Sequence, residues 1–92
     1  IGLNAESTLA SGGVEAEFKQ IMANIEILLQ EATYQPRHIF KVNIYVTDIN
    51  SFSTINQLYT QYFQEPYPVR TFMQVAALPL GASIEIEFQA SK

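Results

Sequence analysis

The amino-acid sequence predicts one α+β domain in which two helices pack on the same face of a three-stranded sheet. Two stretches repeat apolar residues at the spacing of an amphipathic helix, and three stretches alternate apolar and polar residues as half-buried strands do. Their order along the chain is αβαββ, which is typical of an α+β layer. With 92 residues, of which 48% are hydrophobic, the chain is long enough for one small core.

The first helix is predicted to begin after the pair Gly12-Gly13 and to end before Pro36, which gives it about five turns. Glu15 and Glu17 are expected on its polar face, and the helix dipole favours carboxylates in the first turn. The apolar face is formed by residues at helical spacing: Val14, Phe18, Ile21, Met22, Ile25, Leu28, Leu29 and Ala32.

The stretch HIFKVNIYVTD, residues 38–48, predicts the first strand. Its apolar face is formed by alternate residues: Phe40, Val42, Ile44 and Val46. A turn follows, in which Asp48 is expected to act as a cap. The second helix then presents one apolar stripe, made of Phe52, Ile55, Tyr59, Tyr62 and Phe63. Two prolines in QEPYP, residues 64–68, end this helix.

The last two strands are predicted from about Arg70 to Ala77 and from about Ser83 to Ala90. Paired as a hairpin with Ala77 opposite Ser83, they would place Arg70 and Glu85 five strand positions apart, on the order of 16 Å. A site that uses both side chains would therefore need a second copy of the chain.

One face of the predicted sheet has no helix to cover it. We expect that face to carry a mixture of aromatic, small and polar residues: Tyr45, Phe72, Gln74, Ala76 and Glu85. The sheet would also have two open edges, which proteins usually protect. An uncovered surface of this mixed character favours a subunit interface, so the residues alone predict an oligomer.

Composition and charge argue against several classes of function. A formal charge of −4, with only five Lys and Arg scattered along the chain, argues against nucleic acid as a partner. No apolar run reaches the roughly 20 residues of a membrane span. The absence of cysteine excludes disulfides and thiolate sites and is typical of a reducing compartment, so we expect a cytoplasmic protein. Because His38 is the one histidine, neither a metal site nor a catalytic triad is expected.

Arg70 and Glu85 are the charged residues that stand out in the strand-like part of the chain. Pro68 fixes the backbone just before Arg70, whose guanidinium can bind a carboxylate through two parallel hydrogen bonds; the alternative is a structural ion pair or a solvated strand end. Glu87 is interpreted as solvated, whereas Glu85 is expected on the oligomer face, where a carboxylate needs a partner or a function. Asn56, by its position alone, is expected on a solvated helix face.

Three short motifs follow one another in PVRTFMQVAALPLGASIEIEFQA, residues 68–90: P-x-R-[ST], A-x-L-P and I-E-I-E. They are preceded by KVNIYVTDINSFSTINQLYTQYF, residues 41–63, and by the opening stretch IGLNAESTLASGGVEAEFKQIMANIEILLQEA, residues 1–32. Together these stretches resemble the RidA/YjgF-like family of reactive-intermediate imine and enamine deaminases. The resemblance covers nearly the whole chain, and the three motifs in this order form a fairly specific signature.

The resemblance implies a chorismate-mutase-like fold and a homotrimer with sites in the clefts between subunits. In the deaminating members the arginine of P-x-R binds the substrate carboxylate, which implies that role for Arg70. The resemblance likewise implies that Glu85, the first glutamate of I-E-I-E, positions the water that hydrolyses the imine. It also implies that the backbone of Phe72 helps to hold the carboxylate and that Asn56 lies near the site.

The chain departs from the family pattern in two places. The family has two further strands before the position of Ile1, with a pocket tyrosine and a Ser-Gly pair, so residues 1–92 are expected to form a single domain that lacks those strands. Phe72 is bulkier than the Cys, Thr or Ser that are frequent at its position, and it is expected to narrow the pocket.

The function implied by the resemblance is hydrolytic deamination of reactive 2-imino and 2-enamino acids, such as 2-aminoacrylate, to 2-keto acids and ammonia, with no cofactor and no metal. One alternative is a non-catalytic module that binds a small carboxylate, such as a 2-keto acid, at Arg70. Some relatives are described as ribonucleases or translation inhibitors; this function ranks third, because the chain is acidic and has no pair of histidines. The presence of both Arg70 and Glu85 favours the enzyme, and the missing strands favour the binding module.

Overall fold

The computed structural model describes residues 1–5 and 7–92 and confirms the predicted order of two helices and three strands. In chain order the elements are α1 (Gly13–Glu31), β1 (Ile39–Val46), α2 (Phe52–Tyr62), β2 (Val69–Gln74) and β3 (Ile84–Ala90). Both helices pack on one face of the sheet, where their apolar stripes meet the buried residues of β1 and β3 in a single core. The predicted layer of two helices on one sheet face is therefore confirmed.

Helix α1 begins directly after Gly12, whose φ of 117° lies in the left-handed region that favours glycine. Its buried stripe includes Phe18, Met22 and Leu29, at the i, i+4 and i+11 positions that share one helix face. The predicted membership of Leu28 in this stripe is wrong, because its side chain is 55% exposed while that of Leu29 is 4% exposed. Neighbouring helix positions differ by about 100° in direction, and this step takes Leu28 past the border of the buried stripe.

Glu17 does not lie on the polar face of α1 as predicted. Its side chain is 5% exposed, and its Oε1 accepts a hydrogen bond of 2.8 Å from the backbone N–H of Ser83. Gly2 lies so close on the other side that an added Cβ would be 2.6 Å from the carbonyl oxygen of Glu17. The N-terminal loop, α1 and the approach to β3 therefore meet at this residue.

Strand β1 is the centre of the sheet, but its alternation is broken at the start. A register shift between Ile39 and Lys41 against β3 marks a bulge or irregularity. As a result Ile39 is buried, and Phe40, which was predicted on the apolar face, is 49% exposed. A one-residue irregularity moves a side chain to the opposite face, and alternation alone does not reveal where it occurs.

The predicted hairpin of the last two strands is wrong. The strand order is β2-β1-β3, with β2 parallel to β1 and β3 antiparallel to it. The segment 75–83, which contains a short 3₁₀ turn at Pro79–Gly81, carries the chain from one side of β1 to the other. Val42, Ile44 and Val46 are buried in β1, and a strand this apolar is stabilised at the centre, where both of its edges are hydrogen-bonded.

The parallel register also reverses the predicted faces of β2. Val42 lies beside Arg70 and Ile44 lies beside Phe72, so the side chains of Arg70 and Phe72 point towards the helices. Gln74 follows on the same face by alternation. The prediction that Phe72 and Gln74 lie on the uncovered face is therefore wrong. Both faces of β2 carry apolar residues, so only pairing with β1 decides which face meets the core.

The sheet face turned away from the helices is uncovered in the single chain. Tyr45 and Glu85 lie on it as predicted and are direct neighbours across β1 and β3. Met73 joins them from β2 in place of Phe72, and Ala76 lies beyond the end of that strand. Within the described sheet, β2 and β3 each pair on one side only, so both outer edges are open. In the described part of the chain no helix is both long enough and apolar enough to cross a bilayer.

Leu28 and Leu29 provide a matched test of the core. We expect Leu29→Ala to lower the free energy of unfolding by about 2–5 kcal/mol, because it removes a buried side chain and leaves a cavity. Leu28→Ala, on the adjacent half-exposed position, is expected to change it by only about 0.5 kcal/mol. Urea denaturation followed by circular dichroism measures both values. Equal losses for the two variants would contradict the orientation of α1 described here.

Candidate active site

Arg70 projects from the start of β2 into the space beneath α2. It follows Pro68 and Val69, where the chain enters the strand in an extended conformation. Its Nη1 donates a hydrogen bond of 2.8 Å to Oδ1 of Asn56, in the middle of α2. The predicted solvated position of Asn56 is therefore wrong, and the two residues that the family resemblance assigns to one site are in direct contact.

Helix α2 is tied to β2 at the strand's other end. The Asp48 carboxylate accepts a hydrogen bond of 2.9 Å from the Asn50 backbone N–H, which confirms Asp48 as a cap, namely of the short 3₁₀ turn Ile49–Ser51 that leads directly into α2. The backbone N–H of Ile49, the residue after Asp48, donates a hydrogen bond of 2.8 Å to Oε1 of Gln74. This bond links the segment that leads into α2 with the end of β2. It therefore helps to hold α2 in the position along β2 at which Asn56 contacts Arg70.

A cavity of about 350 Å³ opens beside the guanidinium. Six residues line it: Asn56, Tyr59, Thr60, Tyr67, Pro68 and Arg70. Within the described residues, no carboxylate lies within ion-pair distance of Arg70. The ion pair found among those residues joins Lys19 and Glu15, both on α1. The predicted alternative of a structural ion pair is therefore wrong for the single chain. A cationic group with free N–H donors at the wall of a cavity is suited to binding a carboxylate.

The backbone N–H of Phe72, two residues after Arg70 in β2, is a further potential donor on the same strand. The Val75 N–H donates to the Val46 carbonyl oxygen at 2.8 Å, so it points towards β1. Because successive N–H groups alternate in direction along a strand, the N–H groups of Phe72 and Gln74 point to the open edge of β2. The side chain of Phe72 packs edge-on against Phe52, with ring centroids 4.9 Å apart, and it is not among the residues that line the cavity. The narrowing of the pocket by this side chain stays a prediction, because that pocket is expected in a cleft between subunits.

Two aromatic rings of α2 surround the Arg70 guanidinium. Its central carbon lies 4.7 Å from the ring centroid of Tyr59 and 5.5 Å from that of Phe52, both within the range of cation–π attraction. Burial raises the pKa of Tyr59, and the positive charge of Arg70 opposes that rise. The phenol is therefore neutral near pH 7, and Tyr59 contacts the cation through its ring rather than as an anion.

Glu85 lies on the opposite face of the sheet from Arg70. In the register with β1, Glu85 is next to Tyr45 and Arg70 is next to Val42, three positions and two strand spacings away. The backbones are therefore roughly 14 Å apart, and the side chains leave in opposite directions. The predicted separation of the two residues within one chain holds, although the hairpin register from which it was derived is wrong.

The surroundings of Glu85 are polar and negatively charged. Tyr45 lies directly opposite Glu85, and Glu87, which pairs with Asn43, is its diagonal neighbour on the same face. A hydrogen bond to the Glu87 carboxylate raises the pKa of Tyr45, and partial burial and the charges of Glu87 and Glu85 add to the rise. Glu87 is exposed, as predicted. This face therefore presents a carboxylate and a neutral phenol side by side, with no guanidinium among its described members.

The contacts of Phe52 and Tyr59 with Arg70 are not part of the sequence prediction, which assigns both residues to the core stripe. The available signal was their spacing, because residues 52, 56 and 59 lie at i, i+4 and i+7 on one face of α2. No group of three or more His, Cys, Asp or Glu residues in the described chain could hold a metal ion. The chemistry that remains is that of a cation, an amide, backbone N–H groups and a hydrophobic wall.

The comparisons with known proteins agree with this fold. The sequence model of the family described as Endoribonuclease L-PSP matches residues 1–92. The 2-iminobutanoate/2-iminopropanoate deaminase of Bos taurus is 45% identical over 83 residues, which cover 90% of this chain and 61% of the bovine protein. The human protein of the same name is 43% identical over 88 residues, which cover 95% of this chain and 64% of the human one. The chain therefore spans less than two thirds of the length of these two relatives.

Two solved structures match the chain closely in three dimensions. A protein of unknown function from the conserved Rid family, YyfA of Yersinia pestis, has a TM-score of 0.95 and 34% identity, over 100% of this chain and 75% of the other. RidA from an Antarctic Psychrobacter species has a TM-score of 0.89 and 34% identity, over 95% of this chain and 71% of the other. The predicted fold is confirmed by both. The chain belongs to the endoribonuclease L-PSP family, the family of the RidA and YjgF-like proteins whose motifs its sequence resembles.

Proposed function

We propose that the chain supplies the substrate-binding and catalytic groups of a hydrolase that converts reactive 2-imino and 2-enamino acids to 2-keto acids and ammonia. The observation that carries this proposal is the Arg70 guanidinium, which has no carboxylate partner among the described residues and lies at a cavity beside an open strand edge. Relatives at 45% and 43% identity are named 2-iminobutanoate/2-iminopropanoate deaminase. The substrates in that name carry a carboxylate next to the reactive carbon, which is the group that Arg70 is suited to bind.

Arg70 fixes the substrate by its carboxylate. Two N–H groups of the guanidinium bind the two carboxylate oxygens, while Asn56 holds a third N–H in place. The outward N–H of Phe72 adds a backbone donor from the open edge of β2. Because C2 of the imine is bonded directly to the carboxylate carbon, a fixed carboxylate also fixes the reacting carbon.

Glu85 activates the water. It takes a proton from a water molecule as the water oxygen bonds to C2, and this proton passes on to the imine nitrogen, which gives a carbinolamine. The proton of the C2 hydroxyl is then transferred to the amino group as the C2–N bond breaks, so that ammonia leaves and the keto acid remains. An enamine enters the same route by taking up a proton at C3. No electron is gained or lost, so the reaction requires no redox cofactor.

The two residues meet only between copies of the chain, because Arg70 and Glu85 lie on opposite faces of one sheet. We therefore propose a homotrimer in which the face with Glu85 and Tyr45 lies against the open edge of β2 of a neighbour. The exposed Met73 and Phe40 on that side support an interface, since apolar side chains on an open sheet face favour association. The proposed cytoplasmic location is supported by the absence of cysteine from the sequence.

The placement of Arg70 and Glu85 on opposite faces of one sheet also favours a second candidate function. A single chain offers Arg70, Asn56 and the Phe72 N–H without Glu85, which is sufficient to bind a 2-keto acid but not to hydrolyse an imine. A non-catalytic carboxylate-binding module is therefore the alternative. Ribonuclease or translation-inhibitor activity remains third, because the formal charge of −4 opposes binding to a phosphate backbone. An ammonia-release assay on freshly generated 2-aminoacrylate separates the enzyme from the binding module.

Arg70→Lys is expected to lower kcat/KM for 2-aminoacrylate by about 10- to 100-fold, because an ammonium cannot replace the two parallel hydrogen bonds of a guanidinium. Ammonia release measures the effect, and circular dichroism checks that the variant is folded. Arg37→Lys is the matched control, since Arg37 is the other arginine of the chain and is exposed. Wild-type turnover in Arg70→Lys would mean that Arg70 does not bind the substrate carboxylate.

The native protein is expected to have the mass of three chains. Each chain has a mass of 10.4 kDa, so light scattering should give about three times that value at micromolar concentration. The physical reason is the uncovered sheet face, which a neighbouring copy would cover. A monomer mass under these conditions would contradict both the trimer and the shared site.

Two inactive variants are expected to restore activity when they form mixed trimers. Arg70→Ala and Glu85→Gln should each be nearly inactive as pure trimers. After unfolding at equal amounts and refolding together, roughly one site in four combines an intact arginine from one chain with an intact glutamate from its neighbour. Glu87→Gln, on the same face as Glu85 but exposed, is the control and should stay active alone. If native mass spectrometry shows mixing while activity stays at the level of the separate variants, the shared site is ruled out.

A further inference from the structure

Helix α2 presents three residues to the Arg70 side chain from one face. Phe52, Asn56 and Tyr59 follow one another at i, i+4 and i+7, and each of them contacts the guanidinium. The two rings lie 5.5 Å and 4.7 Å from its central carbon, and the amide between them accepts one hydrogen bond of 2.8 Å. The three contacts on one helix face therefore surround the cation without a counter-charge.

The rings and the amide constrain the guanidinium in different ways. The rings attract the cation through their faces and use none of its N–H donors. Asn56 uses one donor and so limits rotation about the end of the side chain. We propose that Phe52 and Tyr59 form an aromatic clamp, two positioning residues that hold Arg70 with its remaining donors turned to the carboxylate of the substrate. This inference rests on the proposed function, because it names the groups that prepare the same site.

The Tyr59 hydroxyl is not needed for the clamp. Tyr59 is 3% exposed, and its hydroxyl oxygen has no hydrogen-bond partner among the described residues. A buried hydroxyl without a hydrogen-bond partner destabilises the fold. The favourable contacts of Tyr59 therefore come from its ring. The other ring, that of Phe52, is held in turn by Phe72, which packs edge-on against it. The bulky side chain of Phe72 thus supports the clamp from behind.

Substitutions at Tyr59 separate the ring from its hydroxyl. Tyr59→Leu, which removes the ring, is expected to raise KM for 2-aminoacrylate by about 3- to 30-fold, the range of a cation–π contact, with little change in kcat. Tyr59→Phe, which keeps the ring, should retain the wild-type KM and a melting temperature at least as high as that of the wild type. Tyr62→Leu is the matched control: Tyr62 lies on α2 but packs against Phe18, so its loss should lower the melting temperature and leave KM unchanged.

A second measurement does not depend on catalysis. The chain has two arginines, so the Nε–Hε signal of Arg70 in a ¹⁵N NMR spectrum is assigned by comparison with Arg37→Lys. In the wild type and in Tyr59→Phe this signal should be shifted by the nearby rings, and in Tyr59→Leu most of that shift should be lost. If the wild type shows no deaminase activity, titration with 2-ketobutyrate replaces KM by a dissociation constant, for which the same order of variants is expected.

The outcomes separate the clamp from the proposed function. An unchanged KM or dissociation constant in folded Tyr59→Leu would overturn the clamp while leaving the deaminase intact. An equal rise in Tyr59→Phe would also overturn it, because the hydroxyl would then carry the effect. If Tyr59→Leu does not fold, Phe52→Leu, at a more exposed position, takes its place with the same expected rise. If the wild type releases no ammonia but binds 2-ketobutyrate, and this binding is weaker in Tyr59→Leu, the proposed reaction is contradicted and the clamp is supported. No binding of 2-ketobutyrate to the wild type, in the absence of ammonia release, would contradict both.

Discussion

The parallel pairing of β1 with β2 is the interaction on which the candidate site depends. It sets Val42 beside Arg70, and it thereby directs the guanidinium towards α2 instead of the uncovered face. A slip of one residue in this register would turn Arg70 away from Asn56 and would bring Met73 into the core. The hydrogen bonds of Arg70 to Asn56 and of Ile49 to Gln74 oppose such a slip, because both would be broken. The packing of Phe72 against Phe52 would be lost as well. The position of the charged group is thus held by contacts that only this register allows.

The sequence predicts the element types and their order because these depend on local periodicity. The stripe of α1 and the alternation of β1 are clear, and the prolines after α2 mark its end. The pairing of the strands is less accessible, because a turn-like segment between two strands suggests a hairpin, whereas here it crosses over the central strand. The faces of β2 were also undetermined locally, since Phe72 and Met73 are both apolar. The faces of β2 are decided by its long-range pairing with β1, which the local sequence pattern does not reveal.

The same distinction applies to the candidate site. Arg70 and Glu85 could be selected from the sequence, because isolated charges in strands are uncommon and because they fall in motifs of the family. Their placement on opposite faces was not predictable, since it requires the β2-β1-β3 order. The aromatic neighbours of Arg70 were assigned to the core, and in part they belong there: Tyr59 is buried and also contacts the cation. One side chain can pack in the core and also contact a charged group of the site. Helical periodicity predicts only the packing in the core.

The open edge of β2 has a consequence for colloidal behaviour. Its outward N–H groups are a template on which a strand from another molecule can pair, and such pairing is a common start of aggregation. The edge is short, begins after Pro68 and carries Arg70 near its start, and these are features that discourage sheet extension. An anion bound at the same N–H groups would occupy part of that template. Ligand binding at this edge and a lower tendency to aggregate would therefore go together through one row of backbone amides.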